Sequence, residues 1–264
     1  MFTEAVTAAD ELGFESIWFP EHLVLPVDMA GSPFAGAEHP PVPPSTPVFD
    51  VFAYLAFLAG RTRQVRLGTH VYNLALRHPF VAARAVQTAD VVSGGRIEVG
   101  VGAGWLRSEW EAAGLDFDTR GARLDEAIAV CTRLWTEDHV EFHGRFFDFP
   151  TVMFEPKPVQ RPHPPVIVGG ESPAAMRRAA RHDGWIGLNH TPESVRPALS
   201  TLEGLRTAAG ATGPFTVTVG ATVSGEADVD AFAAAGVDRL IVSPWSRTRD
   251  VPDALAAFAA RYVA

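Results

Sequence analysis

The order of apolar segments predicts an α/β protein built on a parallel sheet, and three observations carry that prediction. Short apolar runs of strand length alternate with longer runs of helical period along the chain. The strand runs, such as Pro165-Val166-Ile167-Val168 and Arg239-Leu240-Ile241-Val242, are continuously apolar, which suits a sheet covered on both faces. One leading helix is followed by seven strand–helix units. Two architectures satisfy this order: an open doubly wound sheet, or a (β/α)8 barrel that lacks only the strand before its first helix.

Phe2, Val6, Ala9 and Leu12 have helical spacing, and Gly13 stops that run. Glu15 to Pro20 reads as a strand. Residues 23–47 form a long loop rich in Pro, Gly and Ser, and loops of this length are usually functional or mobile. Its Phe34 and Val42, with Phe49 beyond it, suggest an apolar lid over a substrate. A helix is expected at about 48–60, with Pro47 near its first turn. Val65–Val71 is a strand, Phe80–Val92 a helix closed by Ser93-Gly94-Gly95, and Arg96–Gly102 a strand running into glycines. Residues 119–136 carry a helix with Leu124, Ile128, Cys131 and Leu134 on one side. Residues 137–163 are irregular, with a hairpin turn at His143-Gly144. Pro165–Val168 is a strand, and Ser172-Pro173 opens a helix as cap and first turn. Strands at Trp185–Leu188, Phe215–Thr222 and Arg239–Pro244 alternate with helices at 192–209, 226–235 and 251–263.

The 264 residues suit a single domain, expected to span 1–264. The formal charge of −9 argues against nucleic acid as the main partner. No apolar run approaches the length of a membrane span and no leader pattern is visible, so a cytoplasmic protein is expected. The one cysteine, Cys131, rules out an internal disulfide or a thiolate metal cluster. No two of the nine histidines pair as H-x-H, and the one H-x-x-x-H spacing, His139 and His143, lies in the irregular 137–163 segment away from the strand ends, so no metal is expected. There is no G-x-S-x-G elbow and no Walker loop. Lys157 is the only lysine beside 21 arginines; with the many Ala, Gly and Pro residues this points to GC-rich coding and a bacterial source.

Ligands of parallel α/β folds bind at the carboxyl ends of the strands. The titratable pair Glu21-His22 follows a strand there, and His70 ends another. Gly100-Val101-Gly102-Ala103-Gly104 lacks the dinucleotide spacing but offers close backbone approach. Gly169-Gly170-Glu171-Ser172 leads into a helix. Two such turns could hold one phosphorylated cofactor between them, with Arg177 nearby, or could serve only as tight βα turns. Trp105 and Trp245 would offer flat faces to an aromatic ring, or ordinary packing.

Several segments, in order and spacing, resemble the bacterial luciferase-like monooxygenase family. They are Ala9–Trp18, Val65–Thr69, Leu76-Arg77-His78-Pro79, Ser93–Arg96, Gly100–Trp105, Phe154–Pro165, Gly169-Gly170 and Asp183-Gly184-Trp185. The resemblance is closest to the branch that uses the deazaflavin coenzyme F420 in place of FMN. It implies a TIM barrel with an insertion between strands four and five, here 137–163, and with the first strand missing. A start codon assigned late would account for that gap. The resemblance implies a non-proline cis peptide at His70-Val71, bulging behind the deazaflavin ring, with Asn73 close by. It places the cofactor phosphate at Ala103-Gly104 and at Gly169, Gly170, Glu171 and Ser172, with Trp105 and Ser108 in the same cofactor site. It makes His22 the proton-handling residue, oriented by Glu21.

The implied activity is hydride transfer between coenzyme F420 and a small organic substrate, the hard chemistry belonging to the cofactor. The arginine-rich composition favours this branch. The alternatives are an FMN-dependent two-component monooxygenase and a non-catalytic cofactor-binding barrel. A homodimer is a further expectation.

Overall fold

The computed structural model describes residues 2–33, 42–245, 247 and 250–263. Its main sheet has seven parallel strands in the order β1 (Ser16–Phe19), β2 (Arg66–Thr69), β3 (Ile97–Val101), β6 (Val166–Gly169), β7 (Gly184–Gly187), β8 (Thr216–Gly220) and β9 (Arg239–Ile241). Sequential neighbours with a helix between them curl into a barrel that is nearly closed, with β1 and β9 at its two edges. Two further strands, β4 (Val140–His143) and β5 (Asp148–Val152), pair as an antiparallel hairpin inside the 137–163 segment.

The helices are α1 (Thr3–Glu11), α2 (Val51–Ala59), α3 (Pro79–Ser93), α4 (Arg107–Ala112), α5 (Arg120–Thr136), α6 (Pro173–Ala179), α7 (Pro192–Ala208), α8 (Glu226–Ala235) and α9 (Val251–Tyr262). Local chemistry sets several of their ends. Ser172 Oγ accepts from Ala175 N at 3.2 Å and Pro173 takes the first helical position of α6, as the sequence predicts. Gly94 closes α3 in the left-handed region with φ 67°.

One expectation needs correction. The second helix begins at Val51, capped by Asp50 through Ala53 N at 2.9 Å, so Pro47 lies outside it. A short helix, α4, stands in the segment after Trp105, to which the sequence reading assigns no element.

One core runs under α2, α3, α5 and the strands, with Leu55, Leu67, Val86, Ile97 and Leu134 fully buried. A smaller cluster packs α1 against α9 through Ala9, Val251 and Leu255 beside the sheet edges. Trp245 packs into this smaller cluster, which is the ordinary-packing alternative for that ring. Phe49 stacks on Tyr54 of α2 at 5.5 Å; Phe34 lies outside the described residues.

The single lysine anchors the insertion. Lys157 Nζ donates to Leu134 O at 3.1 Å, Glu137 O at 2.5 Å and Phe154 O at 3.0 Å. It thereby satisfies carbonyls left free at the end of α5. Lys157→Met keeps the aliphatic stem and removes all three donors, so it should cost about 1–3 kcal/mol of stability. Denaturant unfolding measures this, and an unchanged midpoint would show that water replaces the ammonium without cost.

Candidate functional site

The carboxyl ends of β1, β2 and β3 bring together four polar side chains from distant parts of the chain. His22 Nδ1 lies 3.0 Å from Glu109 Oε2, and the two are 87 residues apart. Glu109 is on α4 and has no exposed surface. Its other oxygen, Oε1, accepts from Leu23 N at 2.6 Å and more weakly from Val24 N at 3.4 Å. The buried carboxylate is thus fully engaged, as a buried charge must be. With Nδ1–H directed at Glu109, the second ring nitrogen of His22 remains for other partners. Trp105 meets the His22 ring edge-to-face, 5.9 Å between centroids.

Glu21 does not orient His22, and this corrects the expected pairing. Its carboxylate turns the other way, accepting from Arg77 NH2 at 2.6 Å and from Asn73 N at 2.9 Å. Arg77 also lies over the Tyr72 ring, 4.5 Å from its centroid. Glu21 therefore fixes the segment that leaves β2, while Glu109 holds His22. Both residues lie past the end of β1, and their side chains take separate partner sets.

Asn73 stands between the two carboxylates. Its backbone N–H goes to Glu21, and its side-chain Nδ2 lies 3.5 Å from Glu109 Oε2. Gly104 completes this corner with φ 79°. A Cβ there would come within 2.8 Å of Trp110 Nε1 and 3.2 Å of Asn73 Oδ1, so a side chain would displace both.

The His70-Val71 peptide is cis. Val71 then sits between two glycine turns: a Cβ on Gly102 would meet its Cγ2 at 2.5 Å, and one on Gly169 its Cγ1 at 2.8 Å. Ala103 is half-buried beside these turns. His70 Nε2 and Ser108 Oγ are both buried without a hydrogen-bond partner among the described residues. Burial holds the His70 imidazole below its usual range, so it is neutral at pH 7.

Gly170, Glu171 and Ser172 engage a different set. Glu171 reaches His190 and Leu188 on the neighbouring strand end, and Ser172 caps α6. Arg177 is exposed on α6, while Arg178 turns inward to Asp125 at 2.7 Å. Glu109 is the residue sequence reasoning missed. Its signal was present: Leu106, Glu109, Trp110 and Ala113 have helical spacing, and Leu106, Glu109 and Trp110 are buried. An acid on an otherwise apolar helix face demands a buried partner.

The fold is that of the luciferase-like oxidoreductases and monooxygenases. The chain belongs to the luciferase-like monooxygenase family, whose model matches residues 2–260. It is 32% identical over 234 residues to an uncharacterised protein of Mycobacterium bovis, covering 88% of this chain and 78% of that one. It is 38% identical over 138 residues to an FMNH(2)-dependent dimethylsulfone monooxygenase of Pseudomonas putida, covering 51% of this chain and 38% of that one. The fold superposes with a TM-score of 0.78 and 16% identity on the coenzyme F420 dependent tetrahydromethanopterin reductase from Methanopyrus kandleri, covering 98% of this chain and 93% of that one. Among the described residues no helix is long and apolar enough to cross a membrane.

Proposed function

We propose that the protein is a coenzyme F420-dependent oxidoreductase that moves hydride between the deazaflavin and a small organic substrate, with His22 as its proton-handling side chain. The observation that carries this reading is the His22–Glu109 pair at the mouth of the sheet. Oxidising an alcohol or reducing a carbonyl requires one proton to leave or reach the substrate oxygen, and an imidazole backed by a buried carboxylate does that near neutral pH.

The residues present fit such a cofactor. The orphaned Ser108 Oγ and His70 Nε2 are polar atoms that a polar ring system could satisfy, and Gly102 and Gly169 make the room in which Val71 stands beside them. When bound, the deazaflavin would supply a carbon that gives or accepts hydride. The chain's own part is to hold the proton. Glu109 fixes the His22 ring through Nδ1 and leaves the other nitrogen for the substrate oxygen. Trp105 walls one side of the imidazole and limits water. Glu21 and Arg77 act through Asn73, keeping the segment after β2 in place.

A second reading is an FMN-dependent monooxygenase, favoured by the Pseudomonas putida relative. A barrel that stores cofactor without turnover would have no use for a carboxylate buried against His22, which argues for catalysis. The cofactor is tested by titrating the pure protein with F420 and with FMN while following tryptophan fluorescence. Saturation at a lower F420 concentration than FMN is expected. Tight FMN binding with no response to F420 would overturn the choice of deazaflavin.

The protein is further proposed to pair with a second copy. A groove of about 710 Å³ between α2, α3 and the end of β5 is lined by Ala53, Ala56, Ala85 and Phe154, with Val81 and Met153 exposed beside it. Light scattering on the purified chain should give twice the monomer mass, and a monomer mass at all concentrations would end the idea.

A further inference from the structure

We propose that Phe117, held by the guanidinium groups of Arg107 and Arg120, is a positioning residue for Glu109 and, through it, for His22. The inference rests on the function proposed above, in which that pair handles the proton.

Helix α4 cannot hold itself in place. It has six residues, and no side chain caps its N-terminus. A helix this short forms only where its surroundings fix it. Yet it carries Glu109, whose contacts with His22 Nδ1 at 3.0 Å and Leu23 N at 2.6 Å leave little room for displacement. A helix rises about 1.5 Å per residue, so slippage by a single residue would break both contacts. Leu106 and Trp110, on the same helix face, are fully buried. No hydrogen bond pins the indole: Trp110 Nε1 is buried without a partner among the described residues. Packing alone therefore locates Trp110, and with it the neighbouring Glu109.

Phe117 supplies that packing. Its ring stands edge-on to Trp110, 6.5 Å between centroids and 82° between planes. Arg107, the first residue of α4, lies over the Phe117 ring with its Cζ 4.4 Å from the centroid. Arg120, the first residue of α5, lies 3.8 Å from the same centroid. One aromatic ring thus ties the start of α4 to the start of a helix of 17 residues. Polar contacts fix the turn that carries it. Arg107 Nη2 donates to Asp118 Oδ1 at 2.8 Å, and Arg120 Nη1 to Phe117 O at 3.0 Å. Asp118 N donates to Asp116 Oδ1 at 2.9 Å, and Leu115 N to Trp110 O at 2.9 Å. The aromatic and cation contacts of Phe117 are with α4 and α5, so its effect on the proton passes through Glu109.

The experiment follows the His22 ring N–H by nuclear magnetic resonance in the full chain without cofactor, the signal being assigned by its loss in His22→Gln. Phe117→Leu keeps an apolar side chain but removes the ring, and should speed solvent exchange of that proton about 10-fold through local opening. Phe117→Tyr retains the ring and should keep the wild-type rate. Lys157→Met, which lowers stability at a distance, should leave the rate unchanged below its unfolding transition. With F420 loaded, Phe117→Leu should lower kcat about 10-fold and hold KM for F420 within about twofold, since displacing a catalytic group by about 1 Å costs up to about 100-fold. Arg107→Met, at a side chain 52% exposed, should give a smaller loss of the same kind and serves if Phe117→Leu does not fold. An unchanged exchange rate in both Phe117→Leu and Arg107→Met, or an equal change in Lys157→Met, overturns the inference, as does a loss carried by KM instead of kcat. If F420 supports no turnover by the wild type, the proposed function falls, and the exchange rates still decide whether Phe117 positions Glu109.

Discussion

Replacing His22 with glutamine should lower kcat by about 10²–10⁴-fold while leaving cofactor affinity close to wild type, because the lost group moves a proton rather than binding the ring. Glu109→Gln should fall in the same range for a different reason. The amide keeps an oxygen for Leu23 N but turns its NH₂ toward His22 Nδ1, which no longer has an acceptor to hold the ring in its orientation and tautomer. The two residues act as one unit, so the double variant should be no slower than the worse single variant. Additive losses would mean that Glu109 acts independently of His22. Steady-state kinetics with F420 loaded would separate kcat from KM, and wild-type turnover by His22→Gln would remove this residue from the mechanism. Glu21→Gln provides the contrast. It weakens the anchor on Arg77, whose side chain is only 10% exposed, so its main effect should be on stability, with turnover falling only through displacement of Asn73.

That contrast marks where sequence reasoning succeeds and where it stops. The strand and helix order was legible because each element carries its own period: Val166–Gly169 and Arg239–Ile241 are short apolar runs, and α8 spans Glu226–Ala235 as the spacing predicts. Caps were legible for the same reason, since Ser172 acts on Ala175, three residues away. The carboxyl end of the sheet follows from strand direction alone, which is how His22, His70 and the two glycine turns could be named. Side-chain partners across the fold were not legible. Glu21 and Glu109 are the same residue type, and both lie near His22 in the fold. Choosing between them requires knowing which way each side chain leaves its backbone, and nothing local encodes that for a pair 87 residues apart. The short α4 left only one repeat of helical spacing, Leu106, Glu109, Trp110 and Ala113, too little by itself to separate a six-residue helix from a connection. Glu171 was read from its neighbours as part of an anion turn, whereas its partner His190 belongs to the next strand end.

The largest expected effect on stability lies at the opposite end of the barrel, where β1 and β9 leave the sheet with two edges. Arg239 on β9 spans that seam. It donates to Glu15, just before β1, at 2.8 and 2.7 Å, and to Glu98 on β3 at 2.7 and 3.0 Å. Its guanidinium also lies 5.3 Å from the Trp18 ring centroid on β1. Glu98 is 5% exposed and is shared with Arg66. Arg239→Leu keeps the apolar stem but leaves Glu98 with one partner and Glu15 with none from β9. Removing one member of a buried pair costs about 3–5 kcal/mol. Denaturant unfolding should show a loss in that range, and a double-mutant cycle should assign more of it to Glu98→Gln than to Glu15→Gln, because Glu15 is 56% exposed. The seam should also respond to acid. Burial alone would raise the Glu15 carboxyl, but hydrogen bonds from Arg239 and Ser16 and the charges of Arg239 and Arg66 outweigh it and hold the group below its usual range. A carboxyl depressed in the folded state stabilises the fold above its unfolded value, and that contribution disappears as pH falls through the folded one. Wild-type stability should therefore decline on acidification below the ordinary carboxylate range, and Arg239→Leu should flatten that decline. A parallel slope in the variant would show that the two sheet edges are held by the α1–α9 packing instead of by this arginine.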